Sequence, residues 1–222
     1  MYSLQVKAPT RVDLAGGTLD IWPIHHLMEK KATVNVAIDL FAEVALSTND
    51  SKTFSLESED QQTKISGNWQ QVTTDPKLPL LTLILKTLWD ETLPGLDIVT
   101  RARSPKGAGI GGSSTLGIAL SAAIWKTRSQ LTNTPLYTDE QLVKTVADLE
   151  AKIIHAPTGT QDYWAAVKGG VNMITYRFGH TQVVPLPVDD YQDLEQRMIV
   201  AYSGVSRQSA INNWEVFKQV FD

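Results

Sequence analysis

The sequence predicts an α+β fold, and three observations carry that expectation. Segments with strand-like alternation and segments with helical spacing are both present, yet they do not alternate as regular βαβ units. The chain has 222 residues, 42% of them hydrophobic. A chain of this size buries roughly 70% of its unfolded surface on folding, so no disulfide or metal staple is required. A glycine-rich loop at 107–112 stands between a predicted strand and a predicted helix.

The elements follow in order. Residues 3–15 and 32–48 are rich in Val, Leu, Ile and Ala with partial alternation, which predicts two strands separated by the Gly16-Gly17 break. Short hairpin strands are expected at 53–57 and 63–66. Leu and Ile recur at helical spacing over 79–89, Gly95 closes that helix, and 96–103 alternates as a strand. The glycine loop leads into a helix over 113–126, rich in Ala, Leu and Ile and so expected to be buried. A second helix is expected over 139–154, with acidic residues in its first turn. A Pro/Gly loop at 155–160 precedes a short helix at 161–167, which Gly169-Gly170 ends. Strands are expected at 171–177, 182–186 and 197–202, and a last helix at 209–220.

Composition narrows the function classes. There is no Cys, so disulfide scaffolds, thiolate metal sites and a Cys nucleophile are excluded. The net charge is −4 with no Lys/Arg run, which argues against nucleic-acid and anionic-membrane partners. No secretory signal pattern stands at the N-terminus, and no apolar run approaches the roughly 18 residues that span a bilayer. A cytoplasmic protein is expected.

The stretch Ser104-Pro105-Lys106-Gly107-Ala108-Gly109-Ile110-Gly111-Gly112-Ser113-Ser114-Thr115 is the most informative. Glycines let a backbone turn sharply and approach a ligand. The following helix offers free N–H groups and the positive end of its dipole, which together make an anion cradle. Ser113 and Ser114 add hydroxyls for a phosphate or Mg²⁺. The Walker A ending Gly-Lys-Ser/Thr is absent. Gly107, Gly109 and Gly112 match a bare Gly-x-Gly-x-x-Gly, but the acidic residue expected about 20 positions on is missing from Gln130-Leu131-Thr132-Asn133-Thr134. Neither a Val-Ala-Ile-Lys strand nor a His-Arg-Asp loop of the protein kinases is present. A phosphate cradle of another type is expected, the alternative being a tight strand–helix turn with no ligand.

With these residues in view, the chain resembles the GHMP kinases, the family of galactokinase, homoserine kinase, mevalonate kinase and phosphomevalonate kinase. Pro105 to Ser113 follow the family's Pro-x-x-x-Gly-Leu-Gly-Ser-Ser-Ala, with Ile110 for Leu and Gly112 for the first Ser. Ala8-Pro9-Thr10-Arg11-Val12-Asp13-Leu14-Ala15-Gly16-Gly17-Thr18-Leu19-Asp20 resembles the first motif, in the form of the sugar branch that holds fucokinase and the heptose-7-phosphate kinases. Glu150, Gly159-Thr160-Gln161-Asp162 and Gly169-Gly170 are similar to the catalytic segment. The resemblance implies a ribosomal-protein-S5-domain-2-like ATP-binding domain over 1–190. It also implies that 191–222, with Ser203-Gly204-Val205-Ser206-Arg207, opens a truncated ferredoxin-like second domain without the late glycine-rich motif.

The resemblance also assigns roles. Pro105, Gly107, Gly109, Ile110, Gly111, Gly112, Ser113 and Ser114 would hold ATP, and Ser113 with Glu150 would ligate Mg²⁺. Asp162 would orient or deprotonate the acceptor hydroxyl. Arg11 would neutralise phosphoryl charge and hold Asp162 ionised. Gly17, Thr18 and Asp20 would bind a sugar, although the family reads Gly-Gly-Thr-Asp or Gly-Trp-Ser-Asp and Leu19 intervenes here. On residues alone, Glu150 reads equally as a solvated helix carboxylate, Asp162 as a helix cap and Arg11 as a strand-end surface cation. His25 and His26 read as structural, with one of them lining the sugar pocket as the alternative, and Trp22 reads as a candidate for stacking on a sugar face. The implied function is ATP-dependent phosphorylation of a sugar or sugar-phosphate hydroxyl. The alternatives are a catalytically silent nucleotide- or sugar-binding protein, a mevalonate-type kinase, and, remotely, a dinucleotide-binding oxidoreductase.

Overall fold

In the computed structural model, the described residues are 1–201 without 22, 28, 30, 106, 178, 189, 190 and 200, together with Gln219. The helix expected at 209–220 and the stacking role of Trp22 therefore lie outside the described residues.

The chain runs β1 (Ser3–Ala15), α1 (Ile24–Leu27), β2 (Ala32–Asn49), β3 (Phe54–Ser58), β4 (Thr63–Gly67), α2 (Trp69–Thr73) and α3 (Pro79–Leu88). It continues as β5 (Gly95–Ala102), α4 (Gly112–Thr132), α5 (Asp139–Ile154), α6 (Gln161–Lys168), β6 (Val171–Arg177), β7 (His180–Pro185) and α7 (Tyr191–Gln196). The mixed order matches the α+β expectation.

One sheet has the order β4-β3-β5-β2-β6-β7, with β1 paired along β2. β2 is its spine. Its second half, from Ala42 to Asn49, pairs with β5, and its first half, from Ala32 to Val36, pairs with β6. All pairings are antiparallel except β3 with β5. Helices α4 and α6 pack on one face of the sheet, α3 and α5 pack against α4, and Leu46, Leu56, Ile84, Ile98, Leu120 and Ile124 are fully buried in this core. α4 is buried on nearly every side, as its continuous Ala/Leu/Ile content predicts.

Two features of β1 and α4 prepare the site. The β1–β2 register shifts between Pro9 and Thr10, whose partners are Phe41 and Ile38. Pro9 has no N–H to give the ladder, and the Thr10 hydroxyl donates to the Leu40 carbonyl at 2.9 Å instead. Such irregularities re-aim the next side chains, here Arg11. In α4, a Cβ on Gly117 would stand 2.7 Å from Val146 Cγ1, so glycine is what lets α5 approach so closely.

Several boundaries differ from expectation. α4 continues to Thr132, because its stop signal is Asn133, left-handed at φ 54°, ahead of Pro135. α2 was not expected, although Asn68 and Gln71 form a capping box at its start. α1 and α7 were also not expected. The strand expected at 197–202 is corrected: Arg197 and Met198 donate back to Leu194 and Glu195 in a turn after α7, and 199 and 201 carry no strand. A short apolar run cannot be distinguished from the end of a helix by periodicity alone.

Candidate active site

Three distant segments meet at one end of the sheet: the second half of β1, the glycine loop with the start of α4, and the start of α6. Arg11 joins all three. Its backbone N–H lies 3.4 Å from the Ile110 carbonyl, and its Nη1 donates to the Gly109 carbonyl at 3.0 Å. Its Nη2 pairs with Asp162 Oδ1, and its Nε lies 3.3 Å from Asp13 Oδ1. Arg11 is only 8% exposed, which removes the surface-cation reading.

The loop is shaped by left-handed glycines, with φ of 73° at Gly107, 76° at Gly109 and 76° at Gly111. Ala108 N–H donates to the Pro105 carbonyl at 3.2 Å, closing the turn. Gly111 is the N-cap of α4, and no side chain caps it. The first turn, with Gly112, Ser113 and Ser114, therefore presents helix amides as an anion cradle does. A Cβ on Gly111 would stand 2.8 Å from Asp162 Cγ, so the loop and α6 are in close apposition.

Asp162 lies in the first turn of α6, whose N-cap is Thr160. The carboxylate turns to Arg11, which removes the helix-cap reading. Burial pushes its pKa up, while Arg11 opposes the rise by charge and by hydrogen bonding. The direction of the shift is upward, and the ion pair keeps the Arg11 cation beside the carboxylate.

Asp20 does the capping. Its Oδ2 accepts from the Gln161 N–H at 3.0 Å, and the residue is 3% exposed. Burial raises its pKa to about 6, against the hydrogen bond from Gln161. Thr18, in the turn that leads to Asp20, is left-handed at φ 76°, and Gly17 beside it is exposed. Asp20 thus belongs to the same cluster as Asp162, with Gly17 and Thr18 at its edge. Nδ1 of His25 lies 3.3 Å from the Ile21 carbonyl, and its ring centroid is 5.8 Å from that of Tyr176, as suits a structural histidine.

Glu150 is 7% exposed, which removes the solvated-carboxylate reading. It accepts from Ser113, from Ser114 at 2.8 Å and from Tyr163 at 2.6 Å. Burial and the neighbouring Glu150 push the Tyr163 pKa well up, so the phenol remains a donor. Among the described residues no group of three or more His, Asp or Glu is arranged to hold a metal. The Glu150 carboxylate and the Ser113 hydroxyl are nevertheless hard oxygen donors of the kind Mg²⁺ takes.

Sequence reasoning assigned no role to Asp13, Gln161, Asn35 or Tyr163. Gln161 is pinned on three sides: its N–H to Asp20, its Nε2 to Asp13 at 2.9 Å, and its carbonyl to Asn35 at 3.1 Å. Burial raises the Asp13 pKa to about 6; Arg11 lowers it and Asp162 raises it further. The available signal for Asp13 was its spacing, two residues after Arg11 on a strand and hence on the same face.

Comparison with known proteins fits this geometry. Residues 80–170, from α3 through the glycine loop to the end of α6, match the family described as GHMP kinases N terminal domain. That stretch is similar to a GHMP kinase N-terminal domain. A D-glycero-alpha-D-manno-heptose 7-phosphate kinase of Campylobacter jejuni is 26% identical over 219 residues, covering 94% of this chain and 62% of that protein. The crystal structure of a D-glycero-D-manno-heptose 1-phosphate kinase from Bacteriodes thetaiotaomicron superposes with a TM-score of 0.72 at 26% identity, over 85% of this chain and 61% of that one. The mevalonate kinase of Methanococcus jannaschii shares the fold, with a TM-score of 0.63 at 17% identity, over 85% and 57% of the two chains. The chain thus spans less than two thirds of the length of these relatives.

Proposed function

We propose that this protein is a GHMP-type, ATP-dependent kinase that transfers the γ-phosphate to a hydroxyl of a sugar or sugar phosphate. One observation carries the proposal: the buried Arg11 guanidinium ties the Gly109 carbonyl of the phosphate loop to the Asp162 carboxylate. A single cation thereby sets the cradle against the acceptor-side acid.

Phosphoryl transfer is mainly positioning and charge stabilisation. Residues 105–114 would cradle the ATP phosphates on loop and helix amides. Glu150 and Ser113 would hold Mg²⁺, which supplies charge neutralisation on the phosphate oxygens. Asp162 orients the acceptor hydroxyl and takes its proton as the oxygen bonds to the γ-phosphorus. The bond from that phosphorus to the bridging oxygen breaks, and ADP leaves. The upward shift of the Asp162 pKa makes it a stronger base than a free carboxylate. Arg11 meets the charge of the phosphoryl group in transit. Gly17, Thr18 and Asp20 bind the sugar; a carboxylate has about four acceptor positions, and capping α6 takes one of those on Asp20.

The acceptor we propose is a fucose- or heptose-type sugar, phosphorylated at the anomeric hydroxyl. The Arg11-Val12-Asp13-Leu14-Ala15-Gly16-Gly17 form and the heptose-kinase names of the relatives support it. In the same proposal residues 1–190 form the ATP-binding domain, 191–222 open a second one, and the protein works in the cytoplasm without nucleic-acid or membrane partners. The test is ADP release and product mass with heptose phosphates, fucose and mevalonate as acceptors. Phosphorylation of a sugar or sugar phosphate is the expected result. Turnover of mevalonate alone, or of none, contradicts the proposal.

A further inference from the structure

The two oxygens of Glu150 have different surroundings. Oε2 accepts from the Tyr163 hydroxyl at 2.6 Å and the Ser114 hydroxyl at 2.8 Å, and both donor residues are buried. Oε1 accepts from Ser113, which is exposed where the glycine loop becomes α4. Three hydroxyls satisfy the acceptors but bring no positive charge, and a buried carboxylate is costly without one. One oxygen is walled in, and the other stands at the open end.

Tyr163 follows Asp162 on α6. Successive helical residues are rotated by about 100°, so the first turn of α6 presents one side chain to Arg11 and the next to Glu150. Tyr163 is fully buried, and Trp164 beside it is nearly so, which leaves α6 little freedom to rotate.

We propose that Tyr163 is a positioning residue for the divalent cation. By donating to Oε2 it fixes the rotation of the Glu150 carboxylate and leaves Oε1, with the exposed Ser113 hydroxyl, as the oxygen pair open to the cation. α6 then holds both halves of the site in register, with Asp162 on the acceptor side and Tyr163 behind the cation. The inference rests on the kinase reading above, and its own content is the Tyr163 hydroxyl. Removing that hydroxyl leaves the ring packing in place but frees the carboxylate to turn.

The experiment is calorimetric titration of ADP at a series of Mg²⁺ concentrations, with wild type and Tyr163→Phe. Partners behind a metal ligand typically contribute about 10–100-fold to metal affinity. The Mg²⁺ concentration that gives half the full gain in ADP affinity should therefore rise about 10-fold or more in Tyr163→Phe. ADP affinity without Mg²⁺ should not change. Ser114→Ala, which removes the second donor to Oε2, should shift the midpoint in the same direction. If Tyr163→Phe does not fold, Ser114→Ala carries the test, and an unchanged midpoint in that variant overturns the inference. An unchanged Mg²⁺ midpoint overturns the inference and leaves Tyr163 a core residue. If wild type shows no Mg²⁺-dependent ADP binding, the kinase reading falls and this inference with it; Mg²⁺-dependent binding that ignores residue 163 removes this inference alone.

Discussion

Asp13 and Asp162 flank the Arg11 guanidinium, Asp20 caps α6 beside them, and burial raises the pKa of each of the three. Asp20 gives the sharpest expectation. An unfolded Asp20 ionises near 3.8, and the folded one at about 6. Between those values the folded chain binds more protons, so this residue's contribution to stability falls as pH rises through the window. The full change corresponds to at most roughly 3 kcal/mol. Asp20→Asn keeps an acceptor for the Gln161 N–H and removes the titration. Urea midpoints of variant and wild type should therefore move apart in the variant's favour between about pH 4 and pH 7. Parallel profiles would show that Asp20 is not strained by burial. Arg11→Met, at the same scale, should lower kcat, because the transferring group loses its countercharge. A kcat equal to wild type would reduce Arg11 to a structural strut.

At the scale of elements, α4 depends on a glycine that no turn requires. Gly→Ala inside a helix normally gains up to about 1 kcal/mol. At Gly117 the new methyl meets the stiff, β-branched Val146 at 2.7 Å, and overpacking of this kind costs about 1–3 kcal/mol. Gly117→Ala should therefore be destabilised in chemical denaturation, and Val146→Ala in the same chain should recover part of the loss. A stabilised Gly117→Ala would mean that α5 moves away freely. Gly111 is a different case: valine there meets the Asp162 carboxylate as well as straining the loop at φ 76°, so it should impair nucleotide binding and transfer together. Nucleotide binding that survives Gly111→Val would argue against the cradle.

Most of these elements are legible in the sequence. The strands at 3–15 and 32–48, the buried helix after the loop and the helix at 139–154 follow from alternation, from continuous small apolar residues and from an acidic first turn, all of which are local. The start of α2 was legible too, in the Asn68 and Gln71 spacing, but its brief apolar content hid it. The three motif segments were recognisable one by one. That Gln161 reaches Asp13, 148 residues away, or that Tyr163 reaches Glu150 behind the loop, depends on how α6 docks under β1, which no local pattern encodes.

Over the whole molecule, a sheet covered on one face by helices brings residue 11, residues 107–114, Glu150 and residues 159–163 to one end, and the glycine loop is their common neighbour. A ligand that fills this loop should stabilise the entire fold. At a hundredfold excess over its Kd, ATP with Mg²⁺ contributes about 2.7 kcal/mol, which is about 5–10 °C in Tm for a chain of this size. NAD should give no such shift; equal shifts for the two ligands would return the dinucleotide reading.

In the proposed reaction Asp162 and Arg11 act together beside the cradle, and steady-state kinetics of Asp162→Asn report on both. The amide keeps the shape but cannot take the acceptor's proton. Removing a general base typically costs about 10²–10⁴-fold, so kcat should fall by at least that range while ATP affinity is preserved. Combined with Arg11→Met, the loss should be far smaller than the product of the single losses, because the two side chains act as one unit. A kcat near that of wild type for Asp162→Asn would contradict the account.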